Sequence, residues 1–127
     1  MKNNPVGWFE IYVDDMERAT AFYETIFDIK LEKMDMPAGK EDMVMLTFKM
    51  DMETFGASGA LVKMTGYGPT SSGTIIYFMS EDCTTEESKV VDAGGEVLQA
   101  KHSLGENGFM SLLKDTEGNI IGLHSMQ

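Results

Sequence analysis

The stretch Gly66-Tyr67-Gly68-Pro69-Thr70-Ser71-Ser72-Gly73, followed by Thr74-Ile75-Ile76-Tyr77-Phe78-Met79, decides the fold. Glycine, proline and serine mark a connection, and the apolar and β-branched run after it reads as a fresh strand. Toward the N-terminus, Gly7-Trp8-Phe9-Glu10-Ile11-Tyr12-Val13 reads as an equivalent strand, and the two begin about 66 residues apart, near half the chain. The order that follows is the same in both halves. In the first, Asp14 with Glu17 gives an N-capping signature for a helix carrying Met16, Ala19, Phe22, Tyr23, Ile26 and Phe27 at helical spacing. Strand-like runs at 28–33, 43–48 and 58–64 come next. In the second, Asp82 caps a helix expected to reach about Ala93, where Gly94-Gly95 stops it. Strands are expected at 96–101, 109–114 and 119–125.

Both halves therefore read β-α-β-β-β. Two helices cannot cover both faces of eight strands, which excludes a doubly wound parallel sheet. The expected architecture is α+β: one domain over 1–127 made of two βαβββ modules, about 5–65 and 73–126, whose sheet curls around a cavity.

The chain has 127 residues, 21 acidic and 10 basic, for a formal charge of −11. That balance argues against nucleic acid or an anionic membrane as partner. A single cysteine, Cys83, cannot form an internal disulfide. The residues from Met1 to Pro5 lead into no apolar run of signal-peptide or membrane-spanning length, so a cytoplasmic location is the expectation. Seven of the twelve methionines lie between Met34 and Met64, which suits adaptable core filling or a pliable apolar pocket.

Phe9-Glu10-Ile11-Tyr12-Val13-Asp14-Asp15-Met16-Glu17-Arg18-Ala19-Thr20-Ala21-Phe22-Tyr23 resembles the opening of the vicinal oxygen chelate superfamily. That superfamily holds lactoylglutathione lyase, bleomycin-resistance proteins and extradiol dioxygenases. Lys114-Asp115-Thr116-Glu117-Gly118-Asn119-Ile120-Ile121-Gly122-Leu123 resembles its closing Asp-Pro-Glu-Gly-Asn turn and last strand, with Thr116 where proline is usual. The resemblance covers essentially the whole chain. It implies a glyoxalase/bleomycin-resistance-like fold and, in metal-dependent members, four ligands on the first and last strands of each module. Those positions fall on Trp8, Thr74, Gly122 and a residue near Gly59 or Ala60. None supplies the imidazole or carboxylate that a divalent ion requires, so no metal and no cofactor is expected.

Residues two apart in a strand share a face, so Trp8, Glu10 and Tyr12 project together, as do Ile120, Gly122 and His124. Glu10 and His124 each lie two residues beyond a lost ligand position. They read as polar groups lining a ligand pocket, as an acid/base pair, or as part of a displaced metal site. Trp8, Tyr12 and Phe78 are the expected aromatic walls, Phe78 because the duplication sets it opposite Tyr12. Two functions follow: a metal-free protein that binds a small, cationic or aromatic ligand as bleomycin-resistance proteins do, or a lyase or isomerase related to lactoylglutathione lyase, with Glu10 as base on a small carbonyl compound. The resemblance also implies a homodimer.

Overall fold

The computed structural model describes residues 4–69 and 73–127, so the middle of the expected connection, residues 70–72, lies outside the described residues. In chain order the elements are β1 (Val6–Tyr12), α1 (Met16–Phe27), β2 (Glu32–Lys33), β3 (Met43–Thr47), β4 (Ser58–Met64), β5 (Thr74–Met79), α2 (Cys83–Glu87), β6 (Glu96–Ser103), β7 (Phe109–Lys114) and β8 (Ile120–Ser125). A single 3₁₀ turn, Gly105–Asn107, joins β6 to β7. The chain divides into two units, Phe9–Thr74 and Met1–Trp8 with Ile75–Gln127.

In the unit Phe9–Thr74 the strands lie in the order β2-β3-β4-β1. The pairing of β3 with β4 is antiparallel, from Met43↔Met64 to Thr47↔Ala60. Ala60, Leu61 and Val62 lose all contact with solvent and, with Met45 and Tyr12, form the core. Each fully buried aliphatic side chain contributes about 1.5–3 kcal/mol. Asp15, not Asp14, caps α1: its carboxylate accepts the Arg18 N–H at 3.0 Å, one residue beyond the expected capping position. The expected strand at 28–33 shrinks to Glu32–Lys33. Asp28 ends α1 in the left-handed region, which Asp tolerates, and the Glu24 carboxylate takes the Leu31 N–H at 2.8 Å. Those contacts wind the segment onto the helix end instead of into a ladder.

The apolar stripe of α1 exceeds what the sheet covers. Tyr23 packs edge-on against Phe48 at 6.1 Å, whereas Phe22, Ile26 and Phe27 stay more than half exposed. The methionine-rich run divides in the same way: Met45 is core, while Met52 and Phe55 in the β3–β4 loop are each 96% exposed.

In the unit Met1–Trp8 with Ile75–Gln127 the order is β5-β8-β7-β6. Here β5 runs parallel to β8, and β7 is antiparallel to both β8 and β6. Pro5 joins this unit through its carbonyl, which accepts the Met79 N–H at 2.9 Å. One face packs under α2, where Cys83, Leu113 and Leu123 form a buried cluster with Phe78, Val90, Val97 and Ile121 around it. As the sequence implies, Asp82 caps α2, accepting the Thr84 N–H at 3.0 Å. The helix ends at Glu87 rather than near Ala93, and turns carry the chain on to Gly94, whose φ of 98° suits glycine. The Ser88 hydroxyl donates to the Thr85 carbonyl at 2.9 Å, and Val90-Val91 are β-branched; both weaken a short helix. No helix among the described residues is long and apolar enough to cross a membrane.

Candidate functional site

The polar centre of the unit Phe9–Thr74 lies at the end of β1. Alternation along the strand sends Glu10 and Tyr12 to one face, and both are buried, Glu10 with 6% of its surface exposed. The Tyr12 hydroxyl donates to Glu10 Oε1 at 2.8 Å. Backbone bonds from Tyr12 N–H to the Gly73 carbonyl (2.8 Å) and from Val13 N–H to the Val62 carbonyl (2.9 Å) hold the strand end that presents them. The Tyr12 ring also meets Tyr67, with centroids 5.5 Å apart. Tyr67 stands where the sequence reads as a linker, and a 3.1 Å bond from its N–H to the Met64 carbonyl seats it.

Tyr12 reaches a second feature as well. It lines a groove of about 440 Å³ between the end of β1 and α1, with Asp14, Arg18, Phe22, Tyr23 and Pro69. A larger, shallower groove of about 810 Å³ on α1 carries Asp14, Glu17, Glu24 and Lys63. The carboxyl of Asp15, at the mouth of both, is held below its ordinary pKa by the Arg18 backbone N–H. Aromatic rings beside carboxylates give this unit a surface suited to a cation with an apolar body.

Trp8, Phe78 and His124 belong to the other unit. Trp8 is half-buried. Phe78 packs against the Cys83–Leu113–Leu123 cluster beneath α2. The register Tyr77↔Gly122 and Phe78↔Leu123 explains why. Tyr77, which the duplication did not single out, faces the same way as Gly122, and a Cβ at Gly122 would stand 2.3 Å from its ring. His124 sits on that same face, its Nε2 2.6 Å from the Asn107 carbonyl. Glu10 and Tyr12 are thus brought into contact with each other, while His124 is anchored within its own unit.

At two of the positions where the resemblance implies metal ligands, the backbone is tightly packed. Gly122 is overlain by Tyr77, and a Cβ at Gly59 would fall 2.2 Å from the Phe9 carbonyl oxygen. Trp8 and Thr74 offer no imidazole or carboxylate, and no group of three His, Cys, Asp or Glu among the described residues could hold a metal. Cys83 is buried, its sulfur accepting the Ser125 hydroxyl at 3.2 Å, which makes it a packing residue.

Comparison with known proteins agrees with this architecture. The chain is 26% identical over 119 residues to the putative glyoxylase CFP32 of Mycobacterium bovis and of Mycobacterium tuberculosis. The match takes in 92% of this chain but 44% of those proteins, so the chain spans less than half their length. A hypothetical protein from Bacillus halodurans C-125 superposes with a TM-score of 0.73 at 13% identity, covering 99% of this chain and 96% of that one. Streptomyces coelicolor methylmalonyl-CoA epimerase, in complex with 2-nitronate-propionyl-CoA, superposes with a TM-score of 0.62 at 17% identity, covering 96% and 94%. These likenesses establish the fold, a mixed sheet with few helices of the glyoxalase/bleomycin-resistance type. A family model matches residues 6–123, and the chain therefore belongs to the Glyoxalase/Bleomycin resistance protein/Dioxygenase superfamily.

Proposed function

We propose that this protein binds a small molecule without an inherited metal, and that its ligand is a cationic, aromatic compound. The observation that carries the reading is the buried Glu10 carboxylate, hydrogen-bonded by a tyrosine that also lines the 440 Å³ groove. Burying a carboxylate is costly unless it is hydrogen-bonded or paired, and a cationic ligand is one such partner. The groove's size lies within the range of small-molecule sites, and Tyr12, Phe22 and Tyr23 supply rings for stacking beside Asp14 and Asp15. The test is a thermal-shift and calorimetric titration with a cationic acridine and a neutral acridine of the same size. Stabilisation by the cation, weakened in Glu10→Gln and in Phe22→Ala, is expected. Equal response to both compounds, or none, refutes the reading.

One observation favours a second reading. A carboxylate kept from water and hydrogen-bonded to a tyrosine hydroxyl is also the arrangement of a proton-transfer base. In this reading Glu10 removes a proton next to a carbonyl of a small substrate, in a lyase or isomerase reaction. Acyl-CoA thioesters come first for testing, because the epimerase with a similar fold binds one. Deuterium exchange at the carbon beside the thioester, lost in Glu10→Gln, would establish it, and its absence across thioesters and hemithioacetals removes it.

The exposed Phe22, Ile26 and Phe27 of α1, with Met52 and Phe55 of the adjoining loop, support a homodimer. The loop springs from Phe48, which touches Tyr23 of α1, so both patches belong to one unit. Light scattering is expected to give twice the chain mass, and Phe22→Glu/Phe55→Glu the chain mass alone.

A further inference from the structure

We infer that Tyr67 is the positioning residue of the Glu10 site: its ring holds Tyr12 in the orientation that keeps the Tyr12 hydroxyl on the Glu10 carboxylate, and so sets the choice of a cation over a neutral ligand. The chain of contacts is direct. Glu10 Oε1 accepts the Tyr12 hydroxyl at 2.8 Å, and the Tyr12 ring centre lies 5.5 Å from that of Tyr67, with the planes inclined by 31°. That separation is one at which aromatic rings attract. Tyr12 is 3% exposed while Tyr67 is half-buried, so Tyr67 is the outer ring of the pair.

The segment that carries Tyr67 is built to hold one ring in one place. Gly66, with φ of 88°, turns the chain just beyond β4, and the Tyr67 N–H returns to the Met64 carbonyl at 3.1 Å. Gly68 lies so close to Asp14 that a Cβ there would stand 3.1 Å from Asp14 Oδ1. Pro69, whose φ is fixed by its ring, lines the 440 Å³ groove. The Gly73 N–H donates to the Gly68 carbonyl at 3.0 Å, while the Gly73 carbonyl accepts the Tyr12 N–H at 2.8 Å. The segment is therefore tied at one end to β4 and at the other to Tyr12 itself.

A hydroxyl that donates to a carboxylate favours its charged form and fixes the direction of its oxygens. Without Tyr67 against it, the Tyr12 ring gains other orientations, and Glu10 loses this donor for part of the time. A cationic ligand responds to that loss, and a neutral one of the same size does not. The effect on ligand choice rests on the binding reading above. The contact chain belongs to the free protein, so the two can fail separately.

The experiment compares the full chain with Tyr67→Leu, Tyr67→Phe and Gly66→Ala. In the free protein, NMR reads the Tyr12 ring signals and the Glu10 side-chain carboxyl carbon. Both are expected to move in Tyr67→Leu and to return in Tyr67→Phe, which keeps the ring. Calorimetric titration with the cationic and the neutral acridine then gives the ratio of their affinities. That ratio is expected to fall about two- to tenfold in Tyr67→Leu, the factor that one ring pair contributes to an equilibrium, and to recover in Tyr67→Phe. Gly66→Ala keeps both rings and strains only the turn, since nothing lies within 4 Å of a Cβ there. It is expected to shift the same signals, and it decides the matter if Tyr67→Leu does not fold. Unmoved Tyr12 and Glu10 signals in Tyr67→Leu overturn the inference. So do equal changes in Tyr67→Phe and Tyr67→Leu, or an unchanged affinity ratio where the parent binds the cation. If the parent binds neither acridine, the binding reading falls and the NMR comparison alone decides whether Tyr67 holds Tyr12 on Glu10.

Discussion

Replacing Gly122 by alanine adds one methyl group to β8, and its effect can be worked from the geometry. The new Cβ would stand 2.3 and 2.4 Å from two carbons of the Tyr77 ring and 2.9 Å from a third. Carbon atoms rest at about 3.5–4.0 Å, so the ring must retreat by more than an ångström. Tyr77 is buried and paired directly across from Gly122, which leaves the ring little room. Gly122 is not among the glycines with positive φ, so backbone strain contributes nothing and the cost is overpacking alone. Overpacking of this kind costs about 1–3 kcal/mol. In a chain of this length each kcal/mol lowers Tm by roughly 3–5 °C, so a fall of about 3–15 °C is expected. Circular dichroism melts and urea titrations of Gly122→Ala, Tyr77→Leu and the double variant provide the assay. Tyr77→Leu makes room for the methyl group, so the double variant should be more stable than the two single losses predict when added, by about 1 kcal/mol or more. A neutral Gly122→Ala, or strict additivity, would show that the ring does not fill that position. The same crowding predicts that Gly122→Glu, which puts a carboxylate at a position where the resemblance implies a metal ligand, destabilises the protein rather than creating a metal centre.

Gly59→Ala should cost more than Gly122→Ala, because its Cβ meets a backbone oxygen, that of Phe9, at 2.2 Å, and a neighbouring strand yields less readily than a ring; urea titration ranks the two. Tyr12→Phe removes the donor to Glu10, and a hydrogen bond to a carboxylate is worth about 1.5–3 kcal/mol, so a loss of that size is expected by denaturation, with weaker ligand binding by calorimetry. The pH dependence has a definite sign. Asp15, Asp82 and Asp115 are held below the ordinary carboxylate pKa by the Arg18 N–H, the Lys101 ammonium and the Asn119 side chain respectively. Groups depressed in the folded state contribute stability above their unfolded pKa, near 4, and lose it as pH falls through the lower folded values. Melting temperature should therefore hold from neutrality down to about pH 4 and then fall, less steeply in Asp115→Asn.

The strands made of continuous apolar or small-residue runs were legible. Ser58–Met64, Thr74–Met79 and Phe109–Lys114 lie where those runs put them, and β4 and β7 each bury four consecutive residues, so both of their faces are covered. The elements read less well were those set by single side-chain contacts. The Glu24 carboxylate shortens β2 and Asp15 takes the cap from Asp14, and neither leaves a periodic trace. In the site, the contact of Glu10 with Tyr12 followed from their spacing of two along one strand. Tyr67 was hidden because an aromatic ring in a Gly/Pro-rich stretch belongs to no pattern. The choice of Phe78 over Tyr77 came from counting between repeats, whereas pairing with β8 decides which of two neighbours faces which way.

The division of β1 between the two units bears on how the chain assembles. Its residues up to Trp8 belong with Ile75–Gln127, and those from Phe9 onward belong with the segment ending at Thr74. During synthesis the segment 9–74 can close on itself, yet Pro5 finds the Met79 N–H only after every residue between them has been made. Contacts of such long sequence separation are entropically expensive to form and slow folding. A polypeptide begun at Ile75 would lack that neighbour and present an unpaired strand edge, the usual starting point for aggregation. Joining a copy of residues 4–8 behind Gln127 through a flexible linker would shorten that wait and hasten the last step of refolding.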